Sequence, residues 1–350
     1  MKKIVSFVLC AFCAVSMLSA PVSANEEQVE VHGVQSVEKL TALGILTDFS
    51  ADEDYLLQNV TRGEMCKILV ELSGDEAIYS EANAAYRDVE SSHESYPYIM
   101  AASAMGYISG REDGNFAPEE NMTVRDALKM LLSVLGYDGY ANERGGYPAG
   151  YLDAANATGL LRKTGGLAVG DYISRGVLAQ LCEAALEDVA LMELSGIGKI
   201  SLYESEKGTT LLSQKHDIRK DKAVLSANEL TSIYSRNGKT QEGFIKMGDD
   251  LYQYAGGDQD ALLGQYSEYY YNEEENQVLY ITPLSSNEVT EIEAEQISNV
   301  SNGVISYEEG NSKKTAHIEG SASVIMNGVL SGDYSDAELF PTVGRVTLID

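Results

Sequence analysis

Leu43-Gly44-Ile45-Leu46 returns as Met105-Gly106-Tyr107-Ile108 and again as Thr158-Gly159-Leu160-Leu161, and the glycines are followed by Thr61, Thr123 and Ser174 at 17, 17 and 15 residues. After each hydroxyl residue, apolar side chains fall at offsets of 4, 7, 8 and 11: Met65, Ile68, Leu69 and Leu72; Ala127, Met130, Leu131 and Val134; Leu178, Leu181, Cys182 and Ala185. That spacing predicts an amphipathic helix three times over. Thr61, Thr123 and Ser174 stand where a side-chain oxygen caps the unpaired N–H groups of a helix start, and Thr61-Arg62-Gly63-Glu64 has the form of a capping box. A shorter helix precedes each glycine, over 37–43, 98–105 and 151–158. In the second copy, Gly110 to Pro118 joins the helices through an Asp113-Gly114 turn and a buried Phe116. One such hairpin cannot cover its own apolar face, so three must pack together.

The N-terminus points to export. Lys2 and Lys3 precede an apolar run from Ile4 to Leu18, and Val22-Ser23-Ala24 offers small residues for cleavage. Residues 1–24 therefore read as a signal peptide, because the run is shorter than the roughly 20 residues a spanning helix needs. No membrane span is expected after its removal. Cys66 and Cys182 then remain, which is no disulfide framework. Cys182 takes the place of Leu69 and Leu131 and reads as a core thiol, while Cys66 lies one residue off the stripe.

Charge excludes one class of partner. With 25 Lys and Arg against 54 Asp and Glu, the net charge is −29, and no basic stripe is present. Nucleic acid is not expected as a partner. Four His and no Trp argue against a His-rich metal site or an indole platform. No cofactor motif is found.

The second copy resembles an S-layer homology (SLH) domain. The resemblance rests on Tyr86-Arg87-Asp88-Val89, His93, Tyr96-Pro97-Tyr98-Ile99, Ala102, Gly106, Gly110, Asp113-Gly114, Phe116, Pro118 and Thr123. The third copy opens with Gly145-Gly146-Tyr147-Pro148-Ala149-Gly150-Tyr151, which is similar to the third repeat of SLH triplets in Gram-positive bacteria. Repeats are expected over 25–76, 80–138 and 139–195. The resemblance implies a pseudo-threefold helical unit that holds an exported protein non-covalently to the cell wall, by binding secondary cell-wall polysaccharide that often carries pyruvate ketals. Other S-layer subunits are implied as further partners.

In that family the helix-start motif Thr-Arg-Ala-Glu supplies binding residues. Thr61, Arg62, Gly63 and Glu64 match it with Gly for Ala, and Ser174, Arg175 and Gly176 match in part, with Val177 in place of the acid. In the second copy Thr123 keeps the cap, Val124 holds the arginine place, and Arg125 stands one residue late, about 100° further round the helix. Glu94 stands where the family has Trp. An arginine at a helix start, beside free N–H groups, suits a carboxylate. Residues 25–195 carry 11 basic and 29 acidic side chains, so long-range attraction to an anionic polymer is unavailable.

From about residue 196 to 350 the pattern becomes β-rich. Alternation marks Phe244 to Met247, Gln277 to Ile281 and Val304 to Tyr307, with turns at Asn237-Gly238, Gly256-Gly257, Asn302-Gly303 and Asn327-Gly328. The stretch 223–235 admits either a short helix or a strand. Gly344 to Asp350 reads as a strand with nothing to close it, as in a shortened chain, which would leave an exposed edge. Scattered carboxylates such as Asp217, Asp221, Asp249, Asp250, Asp258 and Asp260 have neither catalytic pairing nor calcium-loop spacing. His216 and His317 lack metal-ligand companions. The expectation is an α + β multidomain chain, an all-α SLH triplet followed by a β-rich display or lattice region, and no enzyme. The alternatives are an anchored enzyme acting on polysaccharide and a sugar-binding adhesin using Tyr266, Tyr269, Tyr270 and Tyr271.

Overall fold

The computed structural model describes residues 31–75, 86–197, 200–205, 209–254, 256–320, 322–331 and 335–350. The export segment at 1–24 lies outside the described residues. Among the described residues, eight helices come first: α1 (Val34–Ala42), α2 (Glu53–Leu56), α3 (Arg62–Ser73), α4 (Tyr96–Ala104), α5 (Val124–Val134), α6 (Asp138–Glu143), α7 (Ala149–Thr158) and α8 (Arg175–Glu187). The three long helices start where the hydroxyl residues predict. Thr61 accepts from the N–H of Glu64 at 3.2 Å while the Glu64 carboxylate accepts from the N–H of Thr61 at 2.8 Å, completing the capping box. Thr123 and Ser174 accept from Asp126 and Val177, each at 3.4 Å. Short α2 and α6 had no sequence signal of their own.

The residues just before these caps join the three helix starts. Val60 donates its N–H to the carbonyl of Ile173 at 3.0 Å, Ile173 to Met122 at 3.0 Å, and Met122 to Val60 at 2.8 Å. These bonds close a ring of backbone amides among side chains that are almost fully buried. The first helical N–H groups are also satisfied across the junctions: Arg62 donates to Glu120 O, Val124 to Asp171 O and Arg175 to Gln58 O, each at 2.9 Å. Helix ends that would otherwise bury unpaired donors therefore use a neighbouring loop as their cap. All twelve predicted stripe positions are buried.

The stripe is wider than predicted. Cys66, expected beside the seam, is fully buried, donates its thiol to Arg62 O at 3.3 Å and is pushed up to about 12 by burial. Cys182 is buried as expected. Gly176 sits where α8 passes under the chain entering α1, and a Cβ there would lie 2.1 Å from the carbonyl oxygen of His32.

Strands follow: β1 (Met192–Ile197) and β2 (Ile200–Ser205) form a hairpin that begins slightly before residue 196. After α9 (Leu211–Lys215) come β3 (Ile218–Ala227), β4 (Phe244–Met247), β5 (Asp250–Gln253), α10 (Gln259–Leu262), β6 (Tyr266–Asn272) and β7 (Gln277–Pro283). The ambiguous stretch 223–235 divides: its start completes β3 and the remainder is loop. These five strands close a barrel in the order β3-β4-β5-β7-β6, with β5 and β7 parallel and the other pairs antiparallel. That order, with a helix between the third and fourth strands, is the topology of an OB-fold. Its interior holds Leu225, Ile245, Met247, Tyr252, Tyr269 and Val278.

Beyond the barrel lie β8 (Val289–Glu293), β9 (Ile297–Ser301), β10 (Val304–Glu309), β11 (Ser312–His317), β12 (Val324–Met326), β13 (Val329–Ser331) and β14 (Arg345–Ile349). Asn302-Gly303 and Asn327-Gly328 make the predicted tight turns, with φ of 52° and 71°, and 48° and 81°. The final strand corrects an expectation: β14 pairs antiparallel with β8 along its whole length, from Arg345 opposite Glu293 to Ile349 opposite Val289. A strand about fifty residues away closes it, which local sequence cannot reveal.

The barrel docks on the helices through Tyr270. This residue, one of the tyrosines of the sugar-binding alternative, is fully buried in the helical core, with Leu279 and Tyr280 packed beside it. Its hydroxyl donates to Glu187 at 2.6 Å. Glu187 also pairs with Lys39 at 3.1 Å, Lys163 at 3.4 Å and Lys220 at 3.2 Å, and Glu183 with Lys39 at 2.7 Å. Burial alone would raise the Glu187 pKa, but Lys39, the Tyr270 hydroxyl, Lys220 and Lys163 outweigh it and hold the carboxyl at about 2.

Two outcomes follow from this packing. Alanine at Gly176 gains up to about 1 kcal/mol of helix propensity, yet the backbone contact with His32 is rigid, so Gly176→Ala is expected to lose about 1–2 kcal/mol net, read as a lower urea midpoint. Glu187→Gln is expected to cost about 3 kcal/mol at pH 7. Because the folded pKa is depressed from 4.5 to about 2, this contribution is present above pH 4.5 and vanishes as pH falls towards 2. Urea unfolding of both proteins from pH 7 to pH 2 checks it: a gap between wild type and Glu187→Gln that stays constant would contradict the assignment.

Candidate functional site

The start of α8 comes to lie beside α3, so Arg175 from one end of the helical region meets Thr61 and Glu64 from the other. The Arg175 guanidinium lies 4.5 Å from the centroid of the Tyr55 ring, donates to Glu64 at 2.5 Å and also donates to the Gln58 side chain. It is 13% exposed. Two ion or amide partners and an aromatic face hold its plane in one orientation. Burial raises the Tyr55 pKa, with Arg175 opposing and Glu64 adding to it.

Arg175 forms one end of a groove of about 710 Å³. Along one side run Glu64, Lys67, Ile68 and Glu71, spaced at helical intervals on α3, and the other side comes from residues 93–98 at the start of α4. Lys67 pairs with Asp48 and lies 5.6 Å over the Tyr98 ring. Burial raises the Glu71 pKa, against the pull of Lys67. His93 accepts at Nδ1 from the N–H of Ser95 at 3.0 Å, so its Nε2 carries the proton and donates to Glu119 at 2.9 Å. Glu94, in the place of the family's Trp, also lines the groove. Asp48, Glu64, Glu71, Glu94 and Glu119 oppose Lys67 and Arg175, a formal balance of 2 minus 5, or −3, with His93 neutral. The acidic character of the whole chain thus extends into this groove.

The other expected site residues go elsewhere. Arg62 donates from Nε to Phe116 O at 2.9 Å and lies 4.6 Å from the Phe116 ring centroid, so it braces the next loop and does not line the groove. Asp88 holds that loop from the other side, accepting from the N–H groups of Phe116 and Ala117 at 2.7 Å each. Burial works to raise the Asp88 pKa, and these two N–H groups overcome it and lower it. A Cβ at Gly63 would lie 2.8 Å from Ser95 Oγ, close enough that only glycine fits undisturbed. Gly176 is covered by His32. At α5, Val124 fills the arginine place and is buried, Thr123 donates to Asp126 at 2.6 Å, and Arg125 is exposed. Tyr147 closes over this start by donating to Asp126 at 2.5 Å.

One element of the sequence argument is corrected by this geometry. The first N–H groups at the helix starts are engaged by the protein itself: Arg62 and Gly63 of α3, Val124 and Arg125 of α5, and Arg175 of α8 all donate to carbonyls of neighbouring loops. Charge recognition at the groove therefore falls to the guanidinium of Arg175 and the ammonium of Lys67. Tyr55, Gln58 and Lys67 were not singled out from sequence, and Tyr98 entered only as part of the family pattern. Only the polar spacing Glu64, Lys67, Glu71 along α3 signalled a solvent-facing groove wall.

Among the described residues, no cluster of three or more His, Cys, Asp or Glu side chains is arranged to hold a metal ion, and no helix is long and apolar enough to cross a membrane. In the tyrosine cluster, Tyr269 and Tyr270 are buried, Tyr271 stacks on Tyr269 with centroids 5.4 Å apart, and Tyr266 is exposed. A sugar-stacking platform at that cluster is thereby removed.

Residues 85–123 match the S-layer homology domain family, the segment that contains the Asp88 brace, Phe116 and the Thr123 cap. The chain is 25% identical over 219 residues to the "Middle cell wall protein" of Brevibacillus brevis, covering 60% of this chain and 20% of that protein. It is 28% identical over 149 residues to the "Surface layer protein" of Brevibacillus choshinensis, covering 39% and 13%. With the "Cell surface protein" of Thermoanaerobacter kivui it shares 27% over 194 residues, covering 53% and 25%. The matches thus span a quarter or less of each relative, and none of the three names is that of an enzyme. Residues 85–123 thus match the S-layer homology domain, and with the likeness to wall and surface-layer proteins this indicates a place at the cell surface.

Proposed function

We propose that residues 25–76, 80–138 and 139–195 act as a triplet of SLH repeats that anchors the protein to the wall by binding pyruvylated secondary cell-wall polysaccharide. On this reading, 196–350 is a β-rich structural or display region. The observation that carries the proposal is the orientation of Arg175, fixed by Tyr55, Gln58 and Glu64 at the end of the groove. A ligand carboxylate can replace Glu64 on the guanidinium and make a charge-assisted contact in its place. Tyr55 and Tyr98 line the groove beside Arg175 and Lys67. The groove's formal balance of 2 minus 5 means that a ligand is held by these short contacts and not drawn in by a long-range field. Arg62 contributes through the Phe116 loop that it braces.

The reading predicts an order of effects in a pull-down with purified peptidoglycan retaining its polysaccharide. Arg175→Ala loses about tenfold or more in affinity, the size of a charge-assisted pair. Glu64→Gln keeps the cap but frees the guanidinium, and binding rises. The Arg62→Ala, Arg175→Ala double variant loses most binding. Unchanged binding by that double variant would remove these residues as the site, and equal binding to polymer-stripped walls would remove the polysaccharide as the ligand.

A further inference from the structure

His93 stands at the groove wall with both ring nitrogens engaged. Its Nδ1 accepts from the N–H of Ser95 at 3.0 Å, and its Nε2 donates to Glu119 at 2.9 Å. Ser95 is the residue from which α4 starts, and its own side chain makes no capping hydrogen bond there. The His93 carbonyl accepts from the N–H of Tyr96 at 2.9 Å. His93 therefore meets two N–H groups at the start of α4, where a helix otherwise leaves donors unpaired. The turn it holds rests on the helix that carries Glu64. A Cβ on Gly63 would come 2.8 Å from Ser95 Oγ, so residues 93–95 lie directly against the first turn of α3. Gly63 also donates its N–H to Pro118 O at 2.8 Å, and Glu119 follows in that loop. His93 thus ties together two segments that pack on α3 one residue before Glu64, the carboxylate paired with Arg175.

A neutral imidazole can hold both contacts, because it has one donor and one acceptor, whereas the charged ring has two donors. A proton on Nδ1 sets an N–H against the N–H of Ser95, and the turn must give way. Protonation strengthens the attraction to Glu119, but that carboxylate is 82% exposed, and an exposed ion pair contributes little. The other charged groups that line the groove with His93 are Asp48 after α1, Glu64, Lys67 and Glu71 on α3, Glu94 beside it and Arg175 on α8. Among them Glu71 has its pKa raised by burial, against the pull of Lys67, so it is the competing source of a pH effect.

We propose that His93 makes the groove pH-responsive: the neutral ring holds the start of α4 and the Pro118–Glu119 loop against α3 in the binding form, and protonation at Nδ1 releases that wall and weakens the hold on the wall polymer. This regulation rests on the reading of the groove as the polymer site. In the full chain without residues 1–24, affinity for peptidoglycan retaining its polysaccharide is expected to fall about tenfold between about pH 7.5 and about pH 5.5, the scale of one donor left unmet across the range in which imidazoles change charge. His93→Asn keeps an acceptor for the N–H two residues on and does not titrate. It should bind as wild type at the upper pH and keep that affinity at the lower one. Glu71 and the other histidines are unchanged in this variant, so the difference between the two profiles reads His93 alone. His93→Ala, without the acceptor, should bind at the upper pH as weakly as wild type does at the lower. In isotope-labelled protein with no polymer present, the Ser95 amide resonance should move in step with the His93 ring protons as pH falls. The proposal is overturned if wild type binds equally at both pH values, if His93→Asn weakens as steeply as wild type, if His93→Ala binds as wild type at the upper pH, or if the Ser95 amide does not follow the ring. Should wild type not bind the polymer at all, the anchoring reading falls and the amide alone decides: movement with the ring keeps the switch as a property of the groove, and no movement removes it.

Discussion

Three backbone hydrogen bonds, from Val60 to Ile173, Ile173 to Met122 and Met122 to Val60, are the constraint on which the helical half depends. They bring three helix starts to one axis and place each cap next to a loop from another copy. The N–H groups that a lone helix would leave to water then find carbonyl partners across the junction. Satisfying those buried donors takes all three copies at once. It also explains why the helix starts are poor anion sites by themselves: their donors are already engaged in holding the copies together.

The same junctions produce the binding surface. Arg175 reaches the Tyr55 ring and Glu64 because the ring of amides puts α8 against the loop before α3. Arg62 makes the corresponding reach to Phe116. Val124 keeps the packing but not the charge. An equivalent place in sequence therefore gives a groove cation in one copy, a loop brace in another and a core residue in the third. Further along the chain, Glu187 turns the end of α8 into a polar socket for the barrel, where Lys39, Lys163 and Lys220 keep a buried carboxylate ionised. Barrel and helices share one apolar core around Tyr270.

Local features were readable to the extent that their causes are local. The caps at Thr61, Thr123 and Ser174, the buried stripes behind them, the Phe116 loop and the Asn-Gly hairpins follow from spacing, propensity and turn chemistry, and they stand as expected. The destinations of Arg62 and Arg175, the burial of Cys66 and Tyr270, the closing of β14 by β8 and the barrel order were not readable. Each is a contact between residues far apart in sequence, and period alone does not say which apolar or charged side chain will meet which.

Sequence by itself determined a threefold helical pattern, an acidic chain with few cysteines, a β-rich second half and a resemblance to the S-layer homology family. Tertiary structure decided which arginine faces a groove, that the groove is acidic, that helix-start amides are engaged by neighbouring loops, and that five strands close into a barrel. The division has a physical reason. Helix caps, stripes and turns are fixed by interactions within a few residues, whereas a binding surface is assembled from side chains whose positions depend on how whole elements pack.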